Sequence, residues 1–375
     1  MNTNSDEYIV LLKEEQEDSY SNDDLYNITS WGADLSFREL ITMYKEEELL
    51  KPELQRKYVW DKAEASRFVE SILLGLPIPS IFLANTPDEK KLIIDGYQRI
   101  MTIVDYVEGI WKKDEKIFRL SNTEKINEKW RGKSFSDLKS TDQRRIKQTT
   151  IHAIVFEQKA PKDNDTSLYQ IFERINTGGR ALMPQEIRNC VNQGAFNDLL
   201  FKLNKNPNWR LLFGKSAEDE RMRDIEYLLR YFALEKIYNE QNLPTVISLK
   251  KYLNEFMGHV ENQMEEIINQ RENKFNKAIY FIKNNIGENA FFNIGTDDRI
   301  RKRFYPTIFD AICVGTSIAL NLKGDDINIL GLEQRRISML KDPEFKKYSS
   351  EGTMSIDHIN GRIKKVLFYL FDINE

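Results

Sequence analysis

Cysteine is nearly absent from this sequence. Cys190 and Cys313 lie far apart among 375 residues, each in an apolar or helical context. Neither a disulfide framework nor a zinc site is expected, and both read as reduced core residues. Histidine is as scarce: His152, His259 and His358 are widely separated and have no ligand spacing. His152 falls in a predicted strand and reads as a satisfied structural histidine. The sequence has no run of 18 apolar residues, which excludes a transmembrane helix. Its acidic, polar start lacks the basic-then-apolar layout of a signal peptide. A cytoplasmic protein with no membrane partner is therefore expected. A P-loop is excluded for want of G-x-x-x-x-G-K-[ST], and no H-E-x-x-H is present. No repeat of fixed period occurs.

Hydrophobic residues make up 41% and aromatics 11%, enough for a packed core and, at this length, for two domains. The net charge of −4 is unevenly spread. Residues 1–35 hold nine acids and one lysine, while the remainder carries 54 basic and 50 acidic side chains. The acidic block Glu14-Glu15-Gln16-Glu17-Asp18 with Asp23-Asp24 reads as a disordered, solvated tail. A sharper reading makes it a screen for a basic groove against non-specific anions. A net of +4 outside it argues against tight non-specific DNA binding.

Order is expected from near Trp31. Ser36-Phe37-Arg38-Glu39 has capping-box spacing and opens a helix to about Glu47, and Asp61-Lys62-Ala63-Glu64 acts similarly at a second helix ending near Gly75. Leu76-Pro77-Ile78-Pro79 is a rigid extended link. Residues 80–84 (SIFLA) and 91–95 (KLIID) read as strands joined by a turn at Thr86-Pro87-Asp88. Gly96 ends the second strand, and a helix follows over 97–106. Residues 151–157 (IHAIVFE) form a further strand. A helix over 167–175 stops at Asn176-Thr177-Gly178-Gly179, and Pro184 sits in the first turn of the next. Beyond about Asn197 strand signals fade, and helical patterns fill 219–240, 248–257, 260–284, 304–322 and 355–371. The expected class is α+β: a domain with a small mixed sheet over 31–205, after a tail over 1–30 and before an all-α domain over 206–375.

Chemistry concentrates in three segments. At Asp95-Gly96-Tyr97-Gln98-Arg99 a buried strand ends, a glycine turns and a helix begins, so unpaired helical N–H groups and the helix dipole favour an anion. Gly96, without a Cβ, lets a phosphate approach the backbone. Arg99 is placed to grip phosphate oxygens, Gln98 donates and accepts, and Asp95 holds magnesium, orients water or caps the helix. In Phe172-Glu173-Arg174-Ile175-Asn176-Thr177-Gly178-Gly179-Arg180 the two glycines permit an anion nest, with Asn176, Thr177, Arg174 and Arg180 as donors; a helix C-cap followed by a turn explains the same residues. In Gln55-Arg56-Lys57-Tyr58-Val59-Trp60, Gln55 and Arg56 with an aromatic suit a phosphate and a base, or the aromatics merely anchor the loop. Asp357-His358-Ile359-Asn360 is like the start of an HNH nuclease motif, but no second histidine is among the 15 residues that follow. The basic cluster from Arg299 to Arg303, beside Phe304 and Tyr305, suits a nucleic-acid backbone or a solvated helix start.

In this order the segments resemble the N-terminal domain of GmrSD-type restriction systems, related to the ParB/sulfiredoxin-like fold. The resemblance rests on Gln55-Arg56 with Trp60 and on Glu70-Ser71-Ile72-Leu73-Leu74-Gly75-Leu76-Pro77-Ile78-Pro79. It continues through Ile94-Asp95-Gly96-Tyr97-Gln98-Arg99 with Thr102-Ile103, then Phe172 to Gly179 and Pro184-Gln185-Glu186-Ile187-Arg188-Asn189, and covers about residues 30–240. It implies a nucleotide-responsive protein of bacterial anti-phage defence. Asp95, Gln98 and Arg99 would be the catalytic residues, with Asp95 on magnesium. Gln55, Arg56, Gly96, Tyr97, Arg174, Asn176, Thr177 and Gly179 would bind the nucleotide. Magnesium with a nucleoside triphosphate is the implied cofactor. Tyr97 stands where the family usually has a glutamine, which favours binding over hydrolysis. The missing downstream HNH domain implies a separately encoded nuclease or effector as partner, and an oligomer stays open. Two other functions fit the same residues: a metal-dependent DNA nickase or DNA-binding protein using this pocket, and a non-enzymatic or antitoxin-like module that pairs through its helical region.

Overall fold

The computed structural model describes residues 8–18, 28–50, 60–86, 88–158, 166–175, 182–240 and 243–374. They fall into two compact units. One spans Asn22–Leu182 with Asn189–Val191, and the other spans Met1–Ser21, Met183–Arg188 and Asn192–Glu375.

The first unit is α+β. Strand β1 (Ile28–Ser36) runs into helix α1 (Phe37–Lys45), followed by β2 (Leu49–Leu50), α2 (Lys62–Leu74), β3 (Ile81–Asn85), β4 (Lys91–Asp95) and α3 (Tyr97–Glu108). A hairpin of β5 (Ile110–Trp111) and β6 (Lys116–Ile117), helix α4 (Ser140–Gln148), β7 (Thr150–Gln158) and α5 (Thr166–Ile175) complete it. Both expected capping boxes form: Ser36 accepts from the Glu39 N–H while Glu39 reaches back to Ser36, and Asp61 and Glu64 do the same. Gly75 closes α2 in the left-handed conformation.

The five-stranded sheet has the order β1-β7-β3-β4-β2. β1 is antiparallel to β7, β7 parallel to β3, β3 antiparallel to β4, and β4 parallel to β2. One face carries Ile81, Leu83, Ile93, Ile151, Ala153 and Val155 into a core shared with α1, α2 and α3. β1 was not expected as a strand. Its Gly32 allows His152 to lie across it, since a Cβ there would come within 2.7 Å of the ring, and His152 Nδ1 meets Asp34 Oδ1 at 2.8 Å. The histidine is thus satisfied, as expected.

The second unit is helical apart from one short hairpin. Helix α6 (Pro184–Val191) begins with Pro184 in its first turn and is followed by α7 (Ala195–Asn204), α8 (Pro207–Phe213), α9 (Arg223–Asn239), α10 (Leu249–Gly258) and α11 (Glu265–Asn285). The hairpin pairs β8 (Asn293–Ile294) with β9 (Ile300–Arg301), and α12 (Pro306–Lys323), α13 (Leu332–Lys341), α14 (Pro343–Ser350) and α15 (Ile356–Phe371) follow. Helix α12 is the centre of this unit, buried almost throughout its first twelve residues, with α9, α11 and α15 around it. Phe275, Ile279 and Ile282 of α11 are fully buried in this core. This apolar face of α11 is internal. Both cysteines are buried and in the thiol form.

The acidic start departs most from expectation. Residues 8–18 are not a solvated tail but a strap on the helical unit. Ile9 is buried and forms a parallel bridge with Phe304. The Glu14 carboxylate accepts from the Gly352 and Thr353 N–H groups at 3.0 and 2.9 Å. Glu15 takes both Nη groups of Arg230 at 2.6 and 3.1 Å, and Asp18 accepts from the Lys250 N–H. The reason is charge balance. Arg230 and Arg362 are buried together with one carboxylate, Asp310, and Glu15 supplies the second negative charge that desolvated guanidiniums require. The sheet unit is therefore an insertion between the strap and the helices, and the helical unit resumes at Met183, earlier than the expected boundary.

Candidate functional site

Strand β4 delivers Asp95, Gly96 turns the chain at φ 99° and ψ 7°, and α3 starts at Tyr97. Only glycine takes that φ readily. The space over Gly96 is not open to a phosphate, however. A Cβ there would collide with Ile81 Cγ2, so the missing Cβ accommodates β3. The expectation that a phosphate approaches the backbone on that side is corrected by this contact.

The junction carries a second irregularity. Leu83 pairs with Ile93, but Phe82 pairs with Asp95. Ile94 and Asp95 together oppose Phe82, which is the pattern of a β-bulge, a device that re-aims side chains at the end of a strand. Asp95 remains 42% exposed and forms an ion pair with Arg99, whose side chain is 15% exposed. The pair is an i,i+4 contact across the strand–helix junction. Arg99 Nε is buried with no hydrogen-bond partner among the described residues, an unusual state for a guanidinium donor.

The other predicted residues are placed as follows. Gln98 accepts from the Trp60 N–H at 3.2 Å. Trp60 packs edge-on against Phe68, so Gln98 fixes the point where the chain returns from the segment containing Gln55 and Arg56. Those two residues, with Asn176, Thr177, Gly179 and Arg180, lie outside the described residues. Arg174 is exposed in the last turn of α5, a helix that lies against β4 and buries Tyr169 and Phe172.

Tyr97 departs from expectation. It is 6% exposed and belongs to the helix-covered core. Burial holds its hydroxyl well above the usual tyrosine range, with Tyr44 and Asp105 adding to the effect. Tyr97 is a core residue of α3, not an exposed nucleotide contact, because the first turn of the helix turns that position inward.

Further along α3 the sequence hid a second polar group. Asp105 is 2% exposed, and burial pushes its carboxyl up to about 6, opposed by Lys112. Lys112 Nζ stands 3.4 Å away and also meets the Tyr44 hydroxyl. Although desolvation lowers it, Lys112 is lifted by Asp105 and Tyr44. Only the composition of α3, an aspartate at a core position, could have flagged this cluster.

Several motif residues prove structural. Arg188 is buried and donates to Asn254 Oδ1 at 2.7 Å and to Gln185 Oε1 and Glu226 Oε2 at 2.9 Å each. Outside the motifs, Arg145 caps the end of α2 through the Leu73 carbonyl at 2.8 Å. The basic cluster at Arg299 to Arg303 runs through the β8/β9 hairpin and precedes, rather than starts, a helix, with Arg301 paired to Asp297 at 3.0 Å. His358 Nδ1 lies 2.6 Å from the Glu351 carbonyl. A cleft of about 510 Å³ in the helical unit is lined by Tyr348, Lys364, Lys365, Phe368 and Ile373, none of them a predicted site residue. Among the described residues no group of three or more histidine, cysteine, aspartate or glutamate side chains is placed to hold a metal ion. No described helix is long and apolar enough to cross a membrane.

Comparison with curated proteins and with solved structures returns no match. One family model does match, over residues 37–192, and its description is GmrSD restriction endonuclease, N-terminal domain. The match spans the strand–helix junction at Asp95 and nearly all of the sheet unit. Residues 37–192 are thus similar to the N-terminal domain of GmrSD restriction endonucleases.

Proposed function

We propose that the sheet unit binds a nucleoside triphosphate at the start of α3 and that this binding regulates a separately encoded nuclease. The observation that carries the reading is the Asp95/Arg99 pair with its uncommitted Arg99 Nε. The pair can exchange partners. A magnesium ion on Asp95 would release the guanidinium, and phosphate oxygens would take the place of the carboxylate in a charge-assisted contact. One exposed carboxylate suits this ion, which keeps waters and takes phosphate oxygens rather than an all-protein cage. The first N–H groups of α3 favour the same charge. Arg174, at the exposed end of α5, adds a second cation on the helix that lies along β4.

Tyr97 lies in the core, Gln98 is engaged at Trp60 and Asp95 is paired with Arg99, which favours binding over turnover at this junction. The test is calorimetry of the full chain with ATP, GTP, CTP and UTP, each with magnesium, on wild type and Arg99→Ala. Wild type binds at least one of them, and Arg99→Ala weakens it about tenfold to a hundredfold, the range of a lost charged hydrogen bond. No binding by any of the four sinks the proposal.

A further inference from the structure

We infer that Phe82 and Phe156 form a stacking platform for the base of the bound nucleotide, beside Asp95 on the sheet face that the core helices do not cover. The inference rests on the proposed nucleotide reading and adds the part of the ligand that the Asp95/Arg99 junction leaves unread.

β3 and β7 are parallel, with Phe82 opposite Ile154 and Ala84 opposite Phe156. Side chains alternate along a strand, so Phe82, Ile154 and Phe156 share one face. It is the reverse of the face that carries Ile81, Leu83, Ala153 and Val155 into the core. The two phenyl rings lie nearly parallel, at 15° and 6.0 Å between centroids. Both are only half-buried. Along β7 and β1 the same face continues to the exposed pair of His152 and Asp34, so it opens to solvent on that side. Toward β4 it is bounded by α5, beneath which Leu92 and Ile94 are buried.

The bulge ties this platform to the charged junction. Because Ile94 and Asp95 together oppose Phe82, Asp95 is the ladder partner of a platform residue, with Cα atoms about 5 Å apart. An aromatic surface and a carboxylate–guanidinium pair stand side by side on one unit. That suits a ligand with a flat π-system at one end and phosphates at the other. Every base has a π-face, so stacking of this kind tolerates all four.

The experiment compares ATP with inorganic tripolyphosphate, each with magnesium, by calorimetry on the full chain. Wild type is expected to bind ATP more tightly than tripolyphosphate. Phe82→Leu and Phe156→Leu keep most of the apolar volume but remove the π-face. Each weakens ATP by about tenfold and leaves tripolyphosphate and the thermal melt unchanged, whereas Arg99→Ala weakens both ligands. If ATP binds wild type and both leucine variants equally, or no more tightly than tripolyphosphate, the platform is overturned while the nucleotide reading stands. If wild type binds neither ligand, both fall. The wild-type comparison of the two ligands decides the matter even if one leucine variant fails to fold.

Discussion

The two units use charge in opposite ways. In the helical unit Arg188, Arg230, Arg336 and Arg362 are among the largest fully buried side chains, and each is held by carboxylates or carbonyls. In the sheet unit the described arginines stay near the surface, and Arg99 keeps a donor in reserve. Buried ion pairs add little net stability against an apolar core, but removing one partner is costly. The helical unit's charges therefore fix how its helices and strap fit together, and they are unavailable to a ligand. The sheet unit builds its core from aliphatic and aromatic side chains and leaves the Asp95/Arg99 pair open to exchange.

That contrast breaks first at Asp310. Asp310→Ala leaves Arg230 and Arg362 with Glu15 as the one carboxylate beside them among the described residues, and is expected to destabilise the helical unit by about 3–5 kcal/mol, read by urea unfolding. A loss under about 1 kcal/mol would mean the cluster does not depend on charge balance. Next is Gly96→Ala, which meets both a positive φ and the Ile81 side chain. It is expected to cost about 2–4 kcal/mol, and pairing it with Ile81→Ala in a double-mutant cycle should recover the steric part only. If the cycle shows no coupling, the close approach of β3 is not the reason for this glycine. Glu15→Gln keeps the shape of the strap and removes its charge. A loss of about 1–3 kcal/mol is expected, together with faster proteolysis within residues 8–18; an unchanged digestion pattern would return the strap to the status of a solvated tail.

The smallest effect belongs to Asp105. Its folded pKa, about 6, lies above that of an unfolded aspartate, near 3.9. The folded chain therefore takes up the proton first. The contribution of this group is fully present below about pH 4 and is lost as pH rises through 6. Asp105→Asn should flatten the pH dependence of the melting temperature between pH 4 and 6 relative to wild type. Parallel profiles would show that Lys112 neutralises the site completely.

The sequence disclosed the elements whose signals are local. The capping boxes at Ser36 and Asp61, the strand over 91–95, the glycine at its end and Pro184 each act within a few residues, and each lies where its chemistry requires. β1 escaped because Gly32 and Asp34 spoil its apolar alternation; it is a strand because β7 needs a partner and His152 needs room. The bulge at Asp95 is set by the register of β3 and leaves no mark on β4 itself. Tyr97 was misplaced because one helical turn decides whether a first-turn residue faces solvent or core, and that depends on how α3 packs on the core. The strap was hidden for the opposite reason: its acidic composition is ordinary for a tail, and its partners lie more than 200 residues away in sequence.

Those partners also set an order of events. During synthesis Ile9, Glu14 and Glu15 leave the ribosome long before Phe304, Gly352 and Thr353, the residues they meet or lie beside. The whole sheet unit is complete before the strap has anything to bind. Contacts of such sequence separation close late and slowly. The strap is thus the clasp of the fold: a chain that stops short of Gly352 and Thr353 leaves Glu14 without the two N–H groups it holds.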